Sequence, residues 1–148
     1  MRLLLTLPLV MVLTSCGPKA STVEDYQTQD VTLPGGQIIK AEMMIDQMDL
    51  MRGMMFRTSV APDHGMLFVH RRPGKYSYYM YQVVIPLDMI WMDAGHNIVE
   101  VVENAQPCGT PASKCPLYGG HETAQFVLEL GGGMARKYSL ASGQTLRW

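Results

Sequence analysis

The fold is decided by residues 85–102, which read IPLDMIWMDAGHNIVEVV. Pro86 fixes the backbone at the entry of an apolar run, Leu87–Met92, and a second run rich in β-branched residues covers Ile98–Val102. The intervening Asp93–Asn97 contains Gly95, a combination typical of a hairpin turn. The stretch therefore predicts two neighbouring antiparallel strands.

Shorter strand-like runs, separated by turn residues, extend on both sides of this hairpin. They cover residues 31–44 with a turn at 34–36, and residues 65–70, 76–81, 124–130 and 145–148. Residues 134–138 predict a short helical turn. Many short strands with one or two short helices predict an α+β domain, built on a mostly antiparallel sheet that is strongly bent or barrel-like.

One helix is predicted around a run of methionines. Met44, Met48, Met51 and Met55 recur at spacings of four, three and four, which places them on one stripe of a helix. We interpret the stripe as core packing, because the flexible thioether fills irregular gaps in cores. The alternative is Met-based copper handling, since eleven of the 13 methionines follow Cys16 and thioethers bind copper(I).

The N-terminus has the pattern of a bacterial lipoprotein signal. Arg2 precedes an apolar run, Leu3–Leu13, which is too short to span a bilayer and fits a secretory signal peptide. Residues 13–16, Leu-Thr-Ser-Cys, resemble a lipobox, which predicts that Cys16 carries the lipid and begins the mature chain. The residue after it is not Asp, which favours the outer membrane if the organism is Gram-negative.

The predicted organisation is a signal peptide at 1–15, a flexible lipid-anchored tether at 16–36 and a single domain at 37–148. The tether contains Gly, Pro, Ser, Thr, Gln and Asp with few large apolar residues. The chain has a net charge of −1 and no basic run, so no nucleic-acid partner is expected. We expect a monomer in the cell envelope, facing the periplasm or the cell exterior and held at the membrane by its lipid.

Cys108 and Cys115 remain once Cys16 is assigned to the lipid. Both lie in a loop rich in Pro, Gly and Ser, and an oxidising envelope compartment predicts a disulfide between them. Six intervening residues fit neither the Cys-x-x-Cys redox spacing nor a four-ligand zinc pattern. The leading interpretation therefore includes no metal and no cofactor.

Several motifs, taken in order, resemble the uncharacterised family called domain of unknown function 192. They are Gly53–Arg57, Asp63 with Gly65–Phe68, Ile85–Asp88, Pro107–Cys108 and Val127–Leu130. The resemblance spans roughly residues 37–146. It implies a compact α+β barrel-like fold, frequent export signals and no established reaction. One departure is that Met80-Tyr81-Gln82-Val83 stands where the family usually has Met-Lys-Asn-Thr, so an activity that used that Lys or Asn is not expected here.

Three charged residues stand inside apolar motifs and are the candidate ligand-binding residues: Arg57, Asp63 and Asp88. A charge in such a setting is either paired within the fold or directed into a pocket. We expect Arg57 to end the methionine helix and to pair with Asp88, with Asp63 as the second choice. Asp63 and His64 are consecutive, and consecutive side chains rarely face each other, so they predict no dyad.

The leading interpretation is a non-enzymatic, lipid-anchored envelope protein whose domain binds a small polar ligand or an envelope partner. The alternative is an envelope enzyme that acts on carbohydrate or cell-wall fragments, with Asp63, Asp88 or Glu129 as acid or base. Two carboxylates roughly 5–9 Å apart across an open cleft would favour this enzyme. Three or more methionine sulfurs at one accessible point would favour copper handling. The sequence contains neither a Gly-x-Ser-x-Gly elbow nor a phosphate-binding glycine loop.

Overall fold

The computed structural model describes residues 26–109 and 111–148. The predicted signal peptide at 1–15 and the lipidation site Cys16 lie outside the described residues. Of the segment assigned to the tether, 16–36, the structure describes residues 26–36. Residues Thr28–Thr32 form a strand of the main sheet in which Val31 is fully buried, so the folded domain begins before residue 37.

Within the described residues, the domain has eight strands, two short helices and one 3-10 turn. In chain order they are β1 (Thr28–Thr32), β2 (Ile38–Met44), α1 (Gln47–Arg52), β3 (His64–Gly74), β4 (Tyr78–Tyr79), β5 (Leu87–Met92), β6 (Ile98–Ala105), the 3-10 turn (Ala112–Lys114), β7 (Leu117–Tyr118), β8 (Ala124–Gly131) and α2 (Met134–Lys137). The hairpin predicted from residues 85–102 is present as β5 and β6, with the Asp93 carboxylate accepting the backbone N–H of Gly95 at 2.8 Å in the turn.

The main sheet has six strands in the order β1-β2-β3-β8-β5-β6. Every neighbouring pair is antiparallel except β2 and β3, which are parallel and are joined through α1. Strands β4 and β7 form a separate two-stranded ribbon. The predicted class, α+β with a mostly antiparallel sheet and two short helices, is confirmed.

The sheet is not closed into a barrel. A final strand was expected at residues 145–148, but this segment makes only isolated bridges, Thr145 with Asn97 and Arg147 with Thr32. It therefore links the β5–β6 turn to the end of β1 without forming a ladder along either edge. Leu146, between the two bridges, is fully buried and fixes the segment on the core.

The methionine helix is shorter than predicted, and two of its methionines face solvent. Met44 belongs to β2, where it is buried, and α1 ends at Arg52 before a glycine at φ 42°. Met48 is 76% exposed and Met51 is 62% exposed, so the core-packing interpretation is wrong for these two. Helix α1 is a two-turn crossover helix on the surface. The spacing of its methionines alone does not show which face of the helix packs on the sheet.

Two apolar cores lie on opposite faces of the sheet because side chains alternate along each strand. One face carries Met66, Met89, Trp91 and Val127, and the other carries their chain neighbours such as Leu67, Ile90 and Leu128. All six residues of β5 are buried, so this strand is covered on both sides. The candidate functional site described below lies on the first face, where β8 also carries Glu129.

The predicted disulfide is formed. Cys108 and Cys115 are bonded, with their Cα atoms 5.8 Å apart. Both are buried among the first core, next to Met80. The bond closes the loop that leads from β6 into the β4–β7 ribbon, and it thereby restrains one side of the site described below.

Candidate functional site

A half-open cleft of about 210 Å³ lies on the first face of the sheet. One wall is the end of α1 with the turn after it, the opposite wall is the segment around β4, and β3 and β8 provide the floor. The lining residues are Leu50, Met51, Arg52, Gly53, Met54, Met55, His70, Tyr76, Ser77, Tyr78, Tyr79, Val83 and Glu129. Apolar walls with a few convergent polar groups are typical of small-ligand sites.

Among the described residues that line this cleft, Glu129 is the one with a carboxyl group. Its side chain projects from the middle of the sheet, between Met66 of β3 and Met89 of β5, and the residue is only 4% exposed. Among the residues that the structure describes, none is hydrogen-bonded to its carboxyl oxygens. The oxygens keep some contact with solvent through the cleft, because every fully enclosed side-chain oxygen in this part of the chain has a partner. Burial raises the pKa of Glu129 to about 8, so the group is mostly protonated at neutral pH.

His70 and two tyrosines form an aromatic group beside Glu129. The His70 ring stacks on Tyr76 with centroids 3.5 Å apart, and its Nε2 shares a 3.0 Å hydrogen bond with the Tyr78 hydroxyl. Burial lowers the pKa of His70, which keeps the imidazole neutral at neutral pH. Burial and the nearby Glu129 raise the pKa of Tyr78, so its hydroxyl keeps its proton.

Trp91 holds the tyrosine wall in place. Its indole N–H donates to the backbone carbonyl of Tyr76 at 2.8 Å, and its ring meets Tyr78 edge-on. Gly119 permits this packing, because its φ is 64° and a Cβ atom there would come within 2.3 Å of the Trp91 ring. The wall is therefore positioned by the buried strand β5 and not by its own short ribbon.

Arg57 pairs with Glu42, so the predicted pairing with Asp88 or Asp63 is wrong. Both guanidinium nitrogens Nη1 and Nη2 donate to the two Glu42 carboxylate oxygens at 2.6 Å. Glu42 is buried on the first face of β2, although Lys40, two residues earlier on the same strand, is exposed. Arg57 also follows α1 by five residues and does not end it. This ion pair connects the loop after α1 to β2 of the sheet. The partner of Arg57 is thus a buried carboxylate, which is the kind of partner that was expected.

Asp88 is fully buried and accepts two backbone hydrogen bonds. Its carboxylate takes the N–H of Asn104 at 2.7 Å and the N–H of Ala135, in the first turn of α2, at 2.6 Å. The adjacent register positions of β5 show that it faces away from the cleft: Asp88 lies opposite Leu130, and Met89 lies opposite Glu129. Its bonds link β5, β6 and α2.

Asp63 is exposed and lies just before β3. Its carboxylate is 2.8 Å from Nδ1 of His64, so these consecutive side chains do meet, contrary to the expectation. The hydrogen bond from His64 lowers the pKa of Asp63. The contact is open to solvent, and His64 lines a second cavity of about 270 Å³ together with Arg57 and Glu42.

The three candidate acid–base residues do not share a site. Asp63 is at the surface, Asp88 faces α2, and Glu129 faces the cleft. The carboxylate on the same face as Glu129 is Glu42, because Glu42, Met66 and Glu129 are register neighbours across β2, β3 and β8. Two strand spacings separate their backbones by roughly 10 Å. Glu42 is already bound by Arg57, so a pair of free carboxylates across the cleft is not formed by these residues.

Three methionines and one histidine line the cleft: Met51, Met54, Met55 and His70. Within residues 26–109 and 111–148, no three His, Cys, Asp or Glu side chains gather closely enough to hold a metal ion. In the same part of the chain, no helix has both the length and the apolar character needed to cross a membrane.

The fold and this site define a small α+β domain with a single-carboxyl, aromatic cleft on one face of its sheet. The chain belongs to the domain of unknown function 192 family, described as "Uncharacterized ACR, COG1430", whose profile matches residues 30–148. The segment that departs from the family pattern, 80–83, borders the cleft: Val83 lines it, and the Gln82 carbonyl accepts the N–H of Phe56 at 3.0 Å.

Two solved structures are similar to this chain. One is a protein of unknown function from Novosphingobium aromaticivorans DSM 12444, with 25% sequence identity, a TM-score of 0.77 and coverage of 90% of this chain and 94% of that one. The other, from Sinorhizobium meliloti 1021, is described as a "putative transcription regulator", with 28% identity, a TM-score of 0.74 and coverage of 82% and 94%. No curated protein matches the sequence significantly.

Proposed function

We propose that the domain binds a small ligand in the cleft above Glu129 and catalyses no reaction there. The observation that supports this proposal is the Glu129 carboxyl, which lines the cleft, is only 4% exposed and receives no hydrogen bond from the described residues. A carboxyl with so little access to water is poorly solvated, and a ligand that bonds to it would reduce that cost. Acid–base catalysis on carbohydrate has less support, because Glu129 has no second free carboxylate opposite it in the cleft lining.

The regulator description of the Sinorhizobium protein is not extended to this chain. A net charge of −1 without a basic run provides no electrostatic footprint for DNA. The cleft also offers a nucleic acid only one strongly basic side chain, Arg52, among the residues that line it.

The ligand-binding proposal is tested by native mass spectrometry of the protein purified from its own envelope. We expect the wild-type protein to retain a molecule, and the Glu129→Leu protein to lose it because the polar anchor is gone. Glu103→Gln is the matched control, since Glu103 lies outside the cleft and pairs with Arg136 at 2.9 Å. Equal retention by the wild type and Glu129→Leu would contradict the proposal.

A second candidate is copper(I) handling, favoured by the presence of Met51, Met54, Met55 and His70 in one accessible cleft. Thioether and imidazole ligands suit copper(I). In the same spectra this candidate requires copper in the wild type, loss of copper in Met54→Leu, and no change in Met48→Leu. Met48 is the matched control because it lies in α1 but does not line the cleft.

We further propose that a lipid on Cys16 holds the domain at the cell envelope. Tyr26 lines a small cavity together with Arg52, Gly53 and Met55, which also line the cleft, so the described part of the chain begins next to the cleft. Ten residues, 16–25, precede Tyr26, and even fully extended they reach about 35 Å. The proposal therefore also implies that the cleft stays near the membrane surface.

The anchor is tested by replacing Cys16 with serine. We expect the Cys16→Ser protein to leave the membrane fraction or to remain unprocessed, because the acylated thiol is the attachment point. The measurement is membrane fractionation with mass analysis of the N-terminus. Cys16→Ser protein of mature size in the membrane fraction would rule out the lipid anchor.

A further inference from the structure

The chemistry of the cleft narrows the class of ligand that it can take. The Glu129 carboxyl emerges between Met66 and Met89, both fully buried, so its nearest neighbours across the sheet are apolar. A carboxylate in such surroundings requires a partner of opposite charge before it can ionise at low cost. The groups that face Glu129 show where that partner can come from.

No protein cation in the cleft lining pairs with Glu129. The titratable groups that face it are Arg52 at the end of α1, His70 of β3, and Tyr76, Tyr78 and Tyr79 on the opposite wall. His70 is hydrogen-bonded to Tyr78, and burial lowers its pKa, so it is neutral. Arg52 is exposed and makes no ion pair with Glu129 among the described residues. Among the described residues, none in the lining can therefore balance an ionised Glu129, and a ligand would have to supply that charge.

We propose that the ligand carries an alkylammonium group that binds the Glu129 carboxylate inside the aromatic cleft. The proposal rests on the proposed function, that this cleft binds a small ligand. Three tyrosines line the site, and aromatic faces attract organic cations most strongly where water is excluded. The methionines beside them supply polarisable apolar contacts for the carbon atoms of the ligand. A volume of about 210 Å³ is below the usual range for drug-sized ligands, which favours a short chain.

Binding of an ammonium ion must displace the proton of Glu129. The step is balanced: the carboxylic acid releases H⁺ to the solvent, and the ammonium ion, which keeps its own protons, takes its place as the positive charge. With the pKa of Glu129 at about 8, affinity should rise nearly tenfold from pH 6 to pH 7 and level off above pH 8. A neutral ligand that accepts a hydrogen bond from the protonated Glu129 carboxyl would show the opposite trend. Its affinity would fall above pH 8, where the carboxyl loses its proton.

The test is isothermal titration calorimetry of the purified exported protein with butylammonium chloride and with 1-pentanol, a neutral molecule one carbon longer. We expect the ammonium ion to bind more tightly at every pH from 6 to 9, with release of nearly one proton at pH 7 measured in two buffers of different ionisation enthalpy. Glu129→Gln should weaken ammonium binding at least tenfold at pH 8 and abolish the pH dependence. Glu103→Gln should change neither, and thermal melting verifies that both variants are folded.

The outcomes separate this inference from the proposed function. If 1-pentanol binds as tightly as butylammonium, or if ammonium binding is independent of pH and of Glu129, the ammonium inference is overturned while ligand binding stands. If neither probe binds, the ammonium inference is overturned as well, and an empty cleft in the native mass spectra then overturns the proposed function. If copper alone is retained and butylammonium does not bind, the cation of the cleft is the metal and not an amine.

Discussion

Replacing Arg57 with alanine is expected to lower the free energy of unfolding by about 3–5 kcal/mol. The guanidinium makes two hydrogen bonds of 2.6 Å to Glu42, whose side chain is only 4% exposed. Without Arg57 the Glu42 carboxylate remains in the sheet with no charge to balance it. Arg57→Lys should recover only part of the loss, because an ammonium group lacks the planar fork that matches a carboxylate.

A double-variant cycle separates the stranded charge from the loss of packing. We expect Glu42→Met combined with Arg57→Met to be far more stable than either single variant, because two apolar side chains of similar volume need no partner. Arg136→Ala is the matched control. Its ion pair with Glu103 is solvent-exposed, so its removal should cost at most about 1 kcal/mol.

Urea denaturation at neutral pH measures each free energy. A change below about 0.5 kcal/mol for Arg57→Ala, which is the range of ordinary surface substitutions, would show that the ion pair is not structural. Arg57 would then be available to a ligand in the second cavity, where it lies with His64 and Val60. In that case, retention of a ligand should be lost while the melting temperature is unchanged.

Local sequence signals were sufficient to predict the regular elements at the centre of the sheet. Strand β5 has the predicted bounds, Leu87–Met92, and β8 extends the prediction by one residue, because apolar alternation and turn residues mark both. The helical turn predicted at residues 134–138 is present as α2, Met134–Lys137. Strands β5 and β8 each have a neighbouring strand on both sides. The apolar pattern of their sequences already reflects the resulting burial of their side chains.

The methionine stripe and Glu42 show where local pattern is insufficient. Spacings of four, three and four describe a helix equally well whether its stripe faces the core or solvent, and β2 takes Met44 out of the helix altogether. Glu42 lies two residues after the exposed Lys40, and its burial is set by Arg57, fifteen residues away in the loop after α1. Glu42 stands between Ala41 and Met43 in an apolar run, so a search for charges inside apolar segments, which singled out Asp88, would also have found it.

Sequence reasoning named only three of the residues that line the cleft as candidates for a chemical role. Glu129 was a candidate acid or base, and Met51 and Met55 belonged to the methionine stripe with its copper alternative. The partners of Glu129 in the lining come from α1, β3 and β4, which are up to 79 positions away in sequence, from residue 50 to residue 129. Tyr78 and His70 gave no signal of their own, because aromatic residues in strands are usual in cores. The site is a product of strand order, which a single sequence does not determine.

Replacing Asp88 with alanine is expected to lower the free energy of unfolding by about 4 kcal/mol, since two backbone N–H groups, one buried and one partly buried, would each lose a carboxylate acceptor. The register explains why an acceptor is needed. Opposite Asp88, strand β6 has one extra residue, because Leu87 pairs with Ala105 while Met89 pairs with Val102. This bulge takes the Asn104 N–H out of the ladder, and Asp88 accepts it at 2.7 Å. The second oxygen accepts the Ala135 N–H at 2.6 Å and so fixes the start of α2.

Asp88→Asn is the sharper variant, because it keeps the shape and one oxygen but turns an NH₂ group towards one of the two backbone donors. We expect it to cost about half as much as Asp88→Ala and to expose the amides of Asn104 and Ala135 to hydrogen exchange, while amides of β3 stay protected. Butylammonium binding should be unchanged in both variants that remain folded, because Asp88 faces away from Glu129 across the sheet. If instead Asp88→Asn keeps the wild-type stability and exchange pattern but loses a bound ligand, Asp88 contacts that ligand, as its place in the sequence first indicated.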